Sequence, residues 1–270
     1  MPFSFLPRKL DYGTALAGMA LTLAILPALA APSIYQRASD KLRYDDCLKL
    51  AGQNPAAALG VANKWANDRG GPPSQHCTAV ALVGLKRYSE GAAKLDELGR
   101  APGMAALRPS LFDQAGNAWM LAGETAKAIV SFQSALALTA SDADIYGDLA
   151  RAQAMQADWP AVESDLNAAL AIAPNRPDLL VLRASARHAQ NHIADARADV
   201  EAALALSSRD GEALVERGAL KRDSGDLKGA RADFQAALET GPSAETADAA
   251  RRNIAALDAM AKTSPKPKKK

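Results

Sequence analysis

From Gly123 to Leu138 the chain reads GETAKAIVSFQSALAL, and this order of small, large and polar positions returns three times. It recurs at 157–172 (ADWPAVESDLNAALAI), 191–206 (NHIADARADVEAALAL) and 225–240 (GDLKGARADFQAALET), a step of 34 residues each time. One slot is small and holds Ala128, Val162, Ala196 and Ala230. Four residues on stand Phe132, Leu166, Val200 and Phe234, followed by the pairs Ala135–Leu136, Ala169–Leu170, Ala203–Leu204 and Ala237–Leu238. Spacings of four, three and one put these side chains on a single helical stripe. The stripe alternates small with large because two helices approach closely only where one of them offers a small residue. Self-similarity at this period predicts helix-turn-helix units stacked as a solenoid.

The half-repeat that precedes each stripe has its own slots: bulky, then small, then large. They read Phe112, Gly116 and Trp119; Tyr146, Ala150 and Gln153; Leu180, Ala184 and Arg187; Leu214, Gly218 and Lys221. This pattern resembles the tetratricopeptide repeat. The prolines that close a repeat in that family match Pro174 and Pro242, with Ala140 and Ser208 at the corresponding places elsewhere. The resemblance covers 109–244 as four repeats (109–142, 143–176, 177–210, 211–244). It implies an all-α, right-handed α-solenoid whose role is protein interaction. Because the third, bulky slot is lost after Trp119, looser helix contacts are expected there.

Upstream, counting back by the repeat step with a short insertion near Gly103, residues 31–108 form two degenerate repeats. Tyr88 to Leu98 and Asn54 to Trp65 take second-helix slots, with Asn54 as N-cap and Pro55 in the first turn. Asp68 to Pro73 reads as a turn. Cys47 and Cys77, the two cysteines of the chain, then fall on the first helices of adjacent repeats. An even pair in an exported chain favours a disulfide; the alternative is a reactive thiol beside His76. Downstream, 245–261 reads as a capping helix with Ile254, Leu257 and Met260 inward and Arg251, Arg252 and Asp258 outward. The lysine-rich residues 262–270 form a basic tail too polar to pack.

Charge adds little for the chain as a whole, +2 over 270 residues. Without the two ends the remaining body is mildly acidic, which argues against a nucleic-acid surface. Residues 1–30 carry Arg8 and Lys9, an uncharged apolar run from Ala15 to Leu26, Pro27, and Ala28-Leu29-Ala30 as a small-x-small cleavage site, the layout of a secretory signal peptide. The competing reading is a retained anchor, since 13–31 is uncharged and long enough to span a bilayer. Either way the repeats face the periplasm.

No phosphate-binding glycine loop, HExxH, CxxC or GxSxG occurs, so neither an enzyme nor a cofactor is expected. His188 and His192 stand four apart, a spacing that holds a metal on one continuous helix. His192 falls in the turn slot, however, so the helix is expected to end between them, leaving solvated histidines and no metal site. Asp144, Asp178 and Glu212 recur at first-helix starts, where they offset the helix dipole.

What remains is the groove lined by the first helices. By slot it presents Asp113, Asn117 and Met120, then Arg151 and Met155, then Ser185, His188 and Arg222, together with Val181, Val215 and Ala219. Such a face suits a peptide or helix of a partner protein. The family's carboxylate clamp maps onto Asp113 and Asn117, then Asp148, then Asp178 and Leu182, and Asn117 alone matches it. Arg151 and Arg222 either pair with the acids around them or anchor a ligand. The predicted function is a noncatalytic scaffold outside the cytoplasm; the alternative is a membrane-anchored assembly subunit.

Overall fold

The computed structural model describes residues 38–263, with side chains for 39–261; residues 1–37, which include the predicted signal segment, and 264–270 of the tail lie outside the described residues. The chain divides into two compact units that meet in sequence at Ala140 and Ser141. The first contains α1 (Ala38–Gln53), α2 (Pro55–Asn67), α3 (Gly71–Gly84), α4 (Tyr88–Arg100), a 3-10 segment (Pro102–Leu107), α5 (Arg108–Leu121) and α6 (Thr125–Leu136). The second contains α7 (Ala143–Met155), α8 (Trp159–Ile172), α9 (Pro177–Ala189), α10 (Ile193–Leu206), α11 (Gly211–Asp223), α12 (Leu227–Glu239) and α13 (Ala244–Thr263). No strand occurs among the described residues. The helices pack as consecutive pairs, so each unit is a stretch of all-α solenoid.

Local sequence explains where the helices begin and turn. Asn54 accepts a hydrogen bond from the Ala57 amide at 3.1 Å, and Pro55 fills the first helical position, so one residue separates α1 from α2. Asp142, Asp158, Asp210 and Asp226 cap α7, α8, α11 and α12 with their side chains. Inside each of the four clear repeats the chain reverses through one left-handed residue. These are Gly123 (φ 75°), Ala157 (57°), Asn191 (63°) and Gly225 (87°), all in the same repeat slot. The expected turn at 68–73 is shorter than the sequence suggests. Only 68–70 leave the helix, because Pro72 and Pro73 carry fixed φ angles that suit the first turn of α3. The insertion near Gly103 is the 3-10 segment.

The stripe becomes the core. Ala128, Phe132 and Ala135, with their counterparts in the three later repeats, have no solvent exposure at all. In the second unit one apolar cluster runs from Ala143 to Leu257 through α7–α13. Two sequence expectations need correction. Met260 of α13 is exposed rather than inward, with Leu257 buried and Ile254 against the core; the helix also continues past 261 to Thr263.

The other correction concerns the lost bulky slot. Contacts there are polar and specific, not loose. Gln153 donates to Asp165 at 2.8 Å, Arg187 to Asp199 at 2.8 Å, and Lys221 lies 2.7 Å from Asp233. Arg183 and Arg217 add bidentate bonds to Asp199 and Asp233. In the first unit Trp119 and Ser131 both donate to Asp96 at 2.9 Å. At Arg187 and Lys221 an ion pair replaces the apolar plug, each partner offsetting the other's desolvation, whereas Gln153 brings Asp165 a neutral donor only.

Candidate functional site

In the first unit Cys47 and Cys77 form a disulfide, with Cα atoms 6.0 Å apart. It ties α1 to α3, so the reactive-thiol alternative does not apply. His76, beside it, is buried; the Tyr44 hydroxyl is hydrogen-bonded to its Nδ1, and its Nε2 lies 2.9 Å from Gln114 Oε1. Gln114 donates in turn to Ser110. Burial pushes the His76 pKa below its ordinary value, and the Gln114 bond only partly opposes this. His76 is thus a structural link between α1, α3 and α5. On α5, Asp113, Asn117 and Met120 are half-buried, and Asn117 Nδ2 donates to Asp113 Oδ1 at 3.3 Å and to its carbonyl at 3.2 Å.

The second unit holds the denser polar surface. Arg176, the residue before α9, donates to Asp178 through Nε and Nη2 and to Asp144 through Nη1 at 2.7 Å. Those bonds, the Asp178 pair foremost, raise its pKa further. Arg151 donates to Asp148 at 2.9 Å and to Asp178 at 3.3 Å. Arg222 donates to Asp223 at 2.7 Å and to Asn253 of α13. Both arginines singled out in the sequence therefore have acidic or amide partners within the chain. Asp144, Asp178 and Glu212 do lie in first helical turns, and Asp144 and Asp178 also bind arginine. Glu212 reaches solvent, yet surrounding protein desolvates it, and with Asp210 nearby its carboxyl is held above the usual range.

His188 departs most from the sequence reading. The helix does end between the two histidines, but His188 is not solvated; its side chain is 9% exposed. Nδ1 lies 2.6 Å from Glu216 and Nε2 3.0 Å from Asp223, while Ser185 donates to Glu216 at 2.9 Å. The hydrogen bond to Glu216 raises its pKa against the opposing effect of burial, and Asp223 adds to the rise. His192 is exposed and faces Glu163 at 3.6 Å, so the two rings address different acids. Among the described residues no cluster of three or more His, Cys, Asp or Glu is arranged for a metal ion. Met155 is exposed; Val181 and Ala219, assigned to the groove by slot, are buried.

Sequence reasoning passed over Glu216, Asp223, Asp199 and Asp233. Asp199 and Asp233 were visible as the repeated Arg-Ala-Asp of 197–199 and 231–233, one step of 34 apart. Glu216 and Asp223 have no such echo, and only packing brings them to His188.

No protein-family model matches the chain, and no curated protein does either. Solved structures do. The C-terminal part of a TPR repeat-containing protein from Cytophaga hutchinsonii is 18% identical, with a TM-score of 0.61 over 83% of this chain and 97% of its own. MamA is 16% identical, TM-score 0.56, over 63% and 91%. YrrB, described as a TPR protein with an unusual peptide-binding site, is 13% identical, TM-score 0.54, over 70% and 96%. At these identities the likeness is one of fold.

Proposed function

We infer that this chain, which has the tetratricopeptide-repeat fold, is a noncatalytic scaffold that binds a partner protein along its first helices. One observation carries the reading: bonds run from each first helix of the second unit to the next. Arg151 reaches Asp178, Ser185 reaches Glu216, His188 reaches Asp223 and Arg222 reaches Asn253. This supports a single surface shared by α7, α9, α11 and α13, with Arg151, Met155, Ser185, His188 and Arg222 upon it. In the first unit the matching residues are Asp113, Asn117 and Met120 on α5. A peptide or helix of a partner protein suits this mixed polar and apolar surface. The peptide-binding site in the description of YrrB is consistent with such a use.

The buried disulfide favours an oxidising compartment and so agrees with an exported, periplasmic protein. No helix among the described residues is long and apolar enough to cross a membrane. The mass of the mature chain distinguishes a cleaved leader, with a new start at Ala31, from an anchor retained at 13–31.

Site-specific photocrosslinking in intact cells tests the surface. Probes at Met155 and Glu212 should give the same partner adduct, and a probe at the exposed Lys228 of α12 should give none. Adducts formed equally from α12 would move the binding site off the first helices.

A further inference from the structure

His188, in the last turn of α9, stands between two carboxylates of α11, 2.6 Å from Glu216 and 3.0 Å from Asp223. A carboxylate accepts and does not donate, so both contacts are hydrogen bonds only when both ring nitrogens carry hydrogen. A neutral imidazole has one N–H. Losing the proton therefore sets a ring lone pair against a carboxylate lone pair on one side. The second oxygen of each acid is already engaged: Ser185 donates to Glu216 and Arg222 donates to Asp223, and Arg222 continues to Asn253 of α13. The ring and Glu216 are 9% and 6% exposed, which leaves little water to replace a lost bond.

We propose that His188 is a proton-operated clamp: the imidazolium holds α9 against α11 and, through Asp223 and Arg222, against α13, and deprotonation loosens this three-helix stack. Charged groups on the other neighbours of α9 are turned to other partners. Arg151 of α7 binds Asp148 and Asp178; Glu163 of α8 binds Arg187 and Gln190, with His192 nearby; Asp199 of α10 binds Arg183 and Arg187. Glu216, Asp223 and, behind Asp223, Arg222 are thus the charges that govern the ring.

The direction of the pH effect follows. Folding raises the His188 pKa, first through the Glu216 bond. Its stabilisation is complete below the unfolded value of about 6.5 and is lost as pH rises through the higher folded value. Burial would raise Asp223, but Arg222 and His188 outweigh it and lower its pKa, so Asp223 stays ionised in that window. On the partner-binding reading above, the clamp also sets the spacing of the binding face. The following test does not depend on that reading.

In the full chain, the His188 ring proton should titrate by NMR with a midpoint above about 6.5. Amide exchange across 177–263, corrected for its intrinsic pH dependence, should accelerate as pH passes that midpoint, by up to about tenfold for each unit of elevation. Glu216→Gln should lower the midpoint and abolish the pH-dependent acceleration, and His192→Gln should change neither. Should Glu216→Gln fail to fold, Asp223→Asn gives the same reading at the more exposed acid, with a smaller fall in midpoint. A midpoint at or below 6.5, or exchange that ignores the titration, overturns the clamp.

Discussion

A Cβ built on Gly218 would stand 2.6 Å from Cε1 of Phe234, so the ring of one helix occupies the place of a side chain on the other. Gly116 meets Phe132 in the same way, at 2.5 Å. The two intervening repeats carry alanine and an aliphatic side chain in the same two slots, Ala150 with Leu166 and Ala184 with Val200, all fully buried. Large and small trade off across each helix pair. Gly218→Ala should then destabilise by about 1–3 kcal/mol, the overpacking cost exceeding the helix propensity that alanine adds. Phe234→Leu in the same chain should recover most of the loss. A urea double-mutant cycle measures the coupling, and purely additive effects would contradict the size match.

The left-handed slot makes an independent prediction. Ala157 holds φ at 57°, where Gly225 holds 87° with nothing within 4 Å of the place a Cβ would take. Ala157→Gly should raise stability by about 0.5–1 kcal/mol, and Gly225→Ala should lower it by a similar amount. Thermal melts check both; opposite signs would show that the turns are not limited by backbone strain.

Asp165 lacks the cations that serve Asp199 and Asp233. Burial raises its pKa, with the Gln153 bond opposing, and Gln153 Oε1 is itself buried without a partner. Because folding raises that pKa, Asp165 favours the fold at acid pH and costs stability as pH rises past the unfolded value of about 3.9. Gln153→Lys copies the Lys221–Asp233 contact. It should bring the Asp165 titration down and stabilise the chain by about 1 kcal/mol at neutral pH. Carboxyl NMR with denaturation reads both, and an unmoved Asp165 would mean the lysine points elsewhere.

Removing the disulfide should act on the first unit. With Cys47 and Cys77 separated by 30 positions in sequence, the double change to alanine should cost about 3–3.5 kcal/mol. Amide protection should fall in 38–100 and hold in 141–263. Alkylation of the native protein without prior reduction should label neither cysteine. Labelling of both in freshly isolated native protein would exclude the bond.

A repeat of 34 residues was enough to locate the helices of 109–244, the buried stripe and the turn slots, because each of these depends on neighbours along one helix or one hairpin. Asn54 was legible as the N-cap of α2 for the same reason. The polar contacts were another matter. Gln153, Arg187 and Lys221 look like a degraded apolar slot until helix pairing brings Asp165, Asp199 and Asp233 opposite them. His188 looks like a turn residue until α11, some 30 positions away, closes over it with Glu216 and Asp223. The His188 contacts cross the repeat boundary, and neither Glu216 nor Asp223 has an acidic counterpart one step of 34 away to read; the tertiary structure alone decides them, and with them the protonation of the ring.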